Sequence, residues 1–156
     1  MIGIENRSRV ATLARGALAA DAEIAEGDVR TEPLGRPRVV LLFDVLQMMP
    51  AQDQEVLLAA IAARLESGGV ILVREADASA GWRFFAVRLG NRAKMFVLGA
   101  WRQEFHFRSE VEWLACFARL GFLTNVRRIG DGTPFANTLF RLTAAPGDAE
   151  TGDTIQ

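Results

Sequence analysis

Residues 39–75 read VVLLFDVLQMMPAQDQEVLLAAIAARLESGGVILVRE, and this stretch decides the fold. VVLLF opens it as a near-continuous apolar run, β-branched at its start, the pattern of a strand covered on both faces. Over 51–66, Leu57, Leu58, Ile61 and Leu65 recur at helical spacing and make an apolar stripe. The Glu66-Ser67-Gly68-Gly69 sequence stops that helix, because glycine accepts the left-handed conformation past a helix end. VILVRE then returns as a second buried strand, ending at the charged pair Arg74-Glu75. Strand, helix and strand within 37 residues form the crossover unit that joins two parallel strands.

The same alternation runs outward in both directions. On the N-terminal side, residues 2–5 form a short strand ending at Glu5. After Asn6, placed as a helix N-cap, Val10, Leu13, Ala14, Ala17 and Leu18 follow at helical spacing. AEIAEGD at 22–28 is a second short strand, and PLGRPR at 33–38 is a turn-rich link. On the C-terminal side a less regular segment, 81–101, precedes Ser109 and Glu112. These two make a capping box before Trp113, Cys116, Phe117 and Leu120, which share one helix face; Gly121 closes the helix. FLTNVRRI at 122–129 and NTLFRLT at 137–143 are strands joined across GDGTP, a link short enough for an antiparallel hairpin. Residues 145–156 are small and polar and read as a disordered tail. The order β-α-β-β-α-β, variable segment, α-β-β specifies an α/β domain over 1–144. Its sheet is Rossmann-like and mostly parallel, with helices on both faces and a C-terminal antiparallel hairpin.

Composition narrows the function. Half of the 156 residues are apolar and 24% are charged, a globular balance, and the net charge of −1 gives no electrostatic reason to expect nucleic acid. No apolar run reaches the length of a membrane span, no basic-then-apolar leader is present, and the single cysteine, Cys116, suits a reducing cytoplasm. No Cys/His cluster supports a metal site, and no serine or cysteine has a nucleophile context.

Ligands of open α/β sheets sit beyond the carboxyl ends of the strands. Those ends carry Glu5-Asn6, Asp28-Val29, Phe43-Asp44 and Arg74-Glu75. A carboxylate there can accept hydrogen bonds from ribose hydroxyls or from the amino group of a base; the plainer reading is that exposed strand ends are polar.

With those residues in view, IGIENRSRVATLARGAL…EIAEGDVRTEPL…RVVLLFDVLQMMPAQDQEVLLAAIAARLESGGVILVREAD…FHFRSEVEWLACFARLGF…TPFANTLFRL resembles a class I S-adenosylmethionine-dependent methyltransferase across most of 2–143. LFDVLQMMP, LESGGVILVRE and the RS…W…LGF helix before the final hairpin carry the likeness through their order and spacing. The resemblance implies S-adenosyl-L-methionine as cofactor and roles for particular residues. Glu5, with Asn6, matches the end of the family's second strand, which binds the ribose hydroxyls. Asp28 and the backbone of Val29 match the adenine position. Phe43 and Asp44 match the stretch bordering the methionine portion, and Gly68-Gly69 the sharp turn before the fifth strand.

One departure is equally specific. The family's first strand and its G-x-G-x-G turn have no counterpart; GDG at 130–132 reads as a hairpin turn. In the family that strand lies between the second and fourth, so its absence leaves two apolar edges with unpaired backbone groups. The strand comes from a longer native chain or from a partner chain, such as the second copy of a homodimer, or the second and fourth strands close directly on each other. We favour the first two.

The variable segment 81–108 lies where the family places its substrate cover. Trp82, Phe85, Ala86, Leu89, Ala93, Phe96, Val97 and Ala100 fall near one helical face, with Arg83, Arg88, Arg92 and Lys94 largely off it. That pattern suits a lid over an apolar or aromatic acceptor, a basic helix on a membrane surface, or a helix packed on the sheet. His106, the one histidine, is the candidate proton acceptor, or else a structural hydrogen-bonding residue. Arg108 positions a substrate or braces a loop. Met48 and Arg74 are further substrate-side candidates, and Cys116 reads as inert core. Together these imply methyl transfer to a small-molecule acceptor. The alternative is a catalytically silent, methyltransferase-like interaction module, or a fragment completed by a partner.

Overall fold

The computed structural model describes residues 1–78, 104–129 and 137–144. They divide into two compact units, residues 1–36 and residues 37 onward. In the first unit, β1 (Ile2–Glu5) and β2 (Glu23–Glu26) pair in parallel, joined by α1 (Ser8–Leu18) and a 3-10 turn at Ala19–Asp21. The carbonyl of Arg7 accepts the N–H groups of Val10 and Ala11, so the helix begins one residue later than an Asn6 cap would give.

The second unit holds a four-stranded sheet of order β3-β4-β6-β5: β3 (Val39–Phe43), β4 (Val70–Ala76), β5 (Phe122–Ile129) and β6 (Asn137–Ala144). β3 and β4 are parallel; β6 runs antiparallel to both β4 and β5. Its described α-helices are α2 (Ala51–Ala62) and α3 (Glu110–Arg119). The core of this unit is apolar and dense. Leu57, Leu58 and Ile61 of α2 are buried, as are Ile71 and Val73 of β4 and their register partners Leu142 and Phe140 of β6. Trp113 stacks on Phe117 at 5.4 Å, and Phe117 meets Phe140 edge-on at 5.3 Å, arrangements that suit the ring quadrupoles. Cys116 lies fully buried among them.

The start signal of α3 holds. Ser109 accepts the Glu112 N–H, and the Glu112 carboxylate accepts the Ser109 N–H at 2.7 Å, closing the capping box. The glycine pair makes the turn into β4. Gly68 adopts φ +72°, and a Cβ on Gly69 would come within 2.8 Å of the Glu66 carbonyl oxygen.

Two expectations need correction. The run at 39–43 is not covered on both faces: Val39, Leu41 and Phe43 are 60, 51 and 41% exposed, while Leu42 is buried. The alternation along the strand puts Leu42 on the core side and Val39, Leu41 and Phe43 on a side that no described layer covers; among the described residues β3 is also the end strand of its sheet. Nor does the helix run over 51–66: α2 ends at Ala62, so Leu65 lies past its end and Gly68-Gly69 turn the chain into β4 instead of stopping the helix. Among the described residues β1 and β3 belong to different sheets. The variable segment with Trp82, the GDG turn and the 145–156 tail lie outside the described residues.

Candidate functional site

Three carboxylates stand at the strand ends, and each meets an arginine. In the first unit, Glu5 Oε1 accepts the Arg7 backbone N–H at 2.9 Å and Nε at 2.8 Å, and Oε2 accepts Nη2 at 3.0 Å. That fork holds the Glu5 carboxyl below the usual carboxylate range, more than offsetting its partial burial. Asp28 repeats the arrangement two residues past β2. Its Oδ1 accepts the Arg30 backbone N–H at 2.9 Å and Nε at 3.0 Å, and its carboxyl is likewise lowered, by Arg30 first of all. Glu5 is in register with Glu26, and the Gly27 N–H donates to the Glu5 carbonyl at 3.1 Å. The parallel pairing therefore brings Glu5, with exposed Asn6, and Asp28, with half-buried Val29, to one edge of the small sheet.

The second unit assembles the remaining described candidates around the carboxyl ends of β3 and β4. Phe43 and Arg74 are register partners, and the Arg74 guanidinium carbon sits 5.1 Å above the centre of the Phe43 ring. Asp44 takes a left-handed φ of +59°, unusual for a residue with a side chain, while its N–H donates to the Arg74 carbonyl at 2.9 Å. Its carboxylate pairs with Arg74 Nη2.

Beyond Asp44 the chain makes a 3-10 turn at Leu46–Met48, where the structure buries Glu75 of the strand-end pair and adds Gln54, which patterning did not flag. Glu75, 1% exposed, accepts the Leu46 N–H at 2.9 Å, while its other oxygen is buried without a partner. Burial pushes its carboxyl up to about 8; the nearby Asp44 adds to the rise, and backbone N–H groups of Leu46 and Gln47 oppose it. Gln54, fully buried, donates from Nε2 to the carbonyls of Leu46, Met49 and His106 at 3.0–3.1 Å. The His106 N–H donates to the Gln47 carbonyl at 2.8 Å, so the His106 segment is tied to the turn after β3 through its N–H and to the Gln54 side chain of α2 through its carbonyl. Met48 is exposed on that turn.

Of the two roles open to Arg108, the geometry shows the brace. Its Nε donates to Gln54 Oε1 at 2.8 Å, its Nη2 reaches the Ala51 carbonyl and Glu55, and the guanidinium lies 5.2 Å above the Trp113 ring. The signal that could have found this network is the polar Gln54 on the face of α2 that also carries Leu57, Leu58 and Ile61: a buried amide must be satisfied from both ends. Among the described residues no group of three or more metal-ligating side chains comes together, and no helix is long and apolar enough to cross a membrane.

Solved structures share this fold. An O-methyltransferase family protein from Burkholderia thailandensis superposes with a TM-score of 0.66 at 20% identity, over 93% of this chain and 43% of its own length. Human N-acetylserotonin methyltransferase in complex with S-adenosylmethionine gives 0.65 at 16% identity, over 92% and 40%. The chain has the methyltransferase fold. An O-methyltransferase from neocarzinostatin biosynthesis, solved with S-adenosyl-L-homocysteine and 1,4-dihydroxy-2-naphthoic acid, gives 0.64 at 20% identity, over 92% and 41%. The chain thus spans about two fifths of the length of these methyltransferases. No family model matches the sequence, and no curated protein does. Likeness at this level of identity is carried by strand order and connection, which survive after side-chain identity has drifted.

Proposed function

We propose that this chain is the cofactor-binding part of an S-adenosylmethionine-dependent methyltransferase acting on a small-molecule acceptor. The observation that carries the reading is the shared fold over more than nine tenths of the chain, with carboxylates at three of its strand ends. In this reading Glu5, with Asn6, holds the ribose hydroxyls, Asp28 and the Val29 backbone hold adenine, and Phe43 and Asp44 border the methionine end.

The residues present fit this cofactor. The side chains of Glu5, Asp28 and Asp44 keep 23, 36 and 40% of their exposure, so their oxygens remain within reach of a ligand's donors. Glu5 Oε2 holds one hydrogen bond, which leaves an acceptor position for a hydroxyl. The bound cofactor supplies an activated methyl group on a sulfonium. The protein's work is to orient the acceptor in line with it and to exclude water. His106, fixed by its backbone beside the turn after β3, is the proton acceptor of choice when the acceptor must lose one; Met48, Arg74 and Trp82 are the substrate-side candidates. An apolar or aromatic acceptor agrees with the aromatic content of 81–108. The proposed compartment is the cytoplasm.

The second reading is an interaction module completed by a partner chain, including a second copy. It is favoured by the lack of a G-x-G-x-G turn in this sequence and by the open edges of β1 and β3 among the described residues. Calorimetry with S-adenosylmethionine separates the two. Micromolar binding that is lost in Glu5→Ala or Asp28→Ala supports the enzyme; no binding by the wild-type chain supports the module.

A further inference from the structure

We infer that β3 is a docking edge for a second copy of this chain: two β3 strands pair antiparallel about Leu41 and join their sheets into one. This deepens the partner-completed reading above and rests on it, naming both the partner and the surface.

The backbone of β3 sets the geometry. Against β4, the Arg38 carbonyl accepts the Val70 N–H and the Asp44 N–H donates to the Arg74 carbonyl, both at 2.9 Å. Backbone direction alternates along a strand, so residues 38, 40, 42 and 44 turn their polar groups toward β4. Val39, Leu41 and Phe43 turn theirs to the other edge, where no strand meets them among the described residues. These are also the three whose side chains are exposed, while Leu42 is buried. Bare edges are ordinarily blunted by charge or proline, and the run VVLLF contains neither. β5, at the other end of the same sheet, is blunted: Asn125, Arg127 and Arg128 are exposed along it.

The sequence of this edge complements itself. With Leu41 opposite the second copy's Leu41, Val39 falls opposite its Phe43, and Phe43 opposite its Val39. All three are hydrogen-bonded pairs, so each exchanges two backbone bonds. Aromatic against β-branched, and leucine against leucine, are favourable cross-strand neighbours. The charges match as well. Arg38, just before the strand, stands opposite Asp44, just after it, and the two-fold axis repeats that match at the other end. The Arg38 side chain is 81% exposed and its contact with Glu66 is long, at 3.8 Å, so it can turn to a new acid. A parallel pair in register would set Arg38 against Arg38 and Asp44 against Asp44. Charge therefore selects the antiparallel, two-fold arrangement, and a second copy supplies the apolar run and both charges by identity.

Sedimentation equilibrium on the 156-residue chain tests this: monomer passes to dimer as concentration rises. Leu41→Lys sets two cations directly opposite each other, and Leu41→Pro removes an N–H that points away from β4; each weakens the dimer about tenfold or more. Arg38→Glu changes an exposed side chain and weakens it severalfold, which keeps the test valid if a Leu41 variant misfolds. Cross-linking reads the register. The Cα atoms of a hydrogen-bonded pair lie about 5.5 Å apart, within reach of a disulfide, so Leu41→Cys oxidises to a covalent dimer. Val39→Cys does not, because its counterpart in the second copy stands opposite Phe43, and Cys116 is buried. A wild type that stays monomeric at every concentration, a dimer indifferent to Leu41→Lys and Arg38→Glu, or equal cross-linking of the two cysteine variants would overturn the assignment. The first of these leaves the partner reading to a chain of different sequence. Micromolar S-adenosylmethionine binding by that monomer would remove the partner reading too.

Discussion

The Leu46 N–H donates to Glu75 Oε1 at 2.9 Å, across 29 residues and inside the protein. This one bond ties the turn that follows Asp44 to the end of β4, and it is made by a carboxyl that burial keeps protonated up to about pH 8. Glu75→Gln retains an acceptor for Leu46 and is tolerated; Glu75→Ala leaves the N–H unpaired and costs about 1–3 kcal/mol. Thermal melting of the two variants measures the difference.

The same carboxyl sets a pH dependence. Its folded-state value lies above its unfolded value of 4.5, so between pH 4.5 and 8 the folded state holds a proton that the unfolded state has lost. Stability from this group is therefore complete below pH 4.5 and declines as pH rises to 8, by roughly 1.4 kcal/mol per unit at most. The lowered carboxyls of Glu5, Asp28 and Glu55 act oppositely, adding stability above their unfolded values that is lost as acid protonates them. Melting temperature is expected to peak near pH 5, and Glu75→Gln to flatten the alkaline side alone. An unchanged alkaline limb in that variant would contradict the assignment.

Arg108 and Arg119 both reach Glu55 Oε1 at 2.9 Å, yet they differ in worth. Arg108 is 12% exposed, stacks on Trp113 and satisfies Gln54, whereas Arg119 is 59% exposed. Arg108→Ala is expected to cost about 2–4 kcal/mol by leaving buried partners unpaired, and Arg119→Ala under about 0.5. Gln54→Leu belongs with the first, because the carbonyls of Leu46, Met49 and His106 lose a common donor. Urea unfolding of the three variants ranks them.

Gly68 and Gly69 fail for different reasons. Alanine at Gly68 meets open space but a φ of +72°, a cost of about 1 kcal/mol; at Gly69 it collides with the Glu66 and Arg38 carbonyl oxygens and the Leu65 side chain. Gly69→Ala should destabilise more, and a reversed order in chemical unfolding would refute the packing argument.

Much of the fold was legible because it rests on local chemistry. The apolar spacing of Leu57, Leu58 and Ile61, the Ser109–Glu112 box and the left-handed turn at Gly68 act within a few residues of themselves, although the helix stops at Ala62, ahead of the glycines expected to stop it. The strand-end carboxylates were legible for the same reason, and so was the hairpin pairing of β5 with β6. What nearest-neighbour patterns do not contain was decided in three dimensions. β6, last in the chain, inserts between β4 and β5, because two antiparallel registers on its flanks bury Phe140 and Leu142 against Val73 and Ile71. The apolar side chains of Val39, Leu41 and Phe43 promised cover on both faces, but cover is supplied by other layers, and β3 stands at the edge of its sheet. Arg74 meeting Asp44, and Gln54 meeting Arg108 across 54 residues, depend on strand register and helix placement, which only the assembled chain fixes.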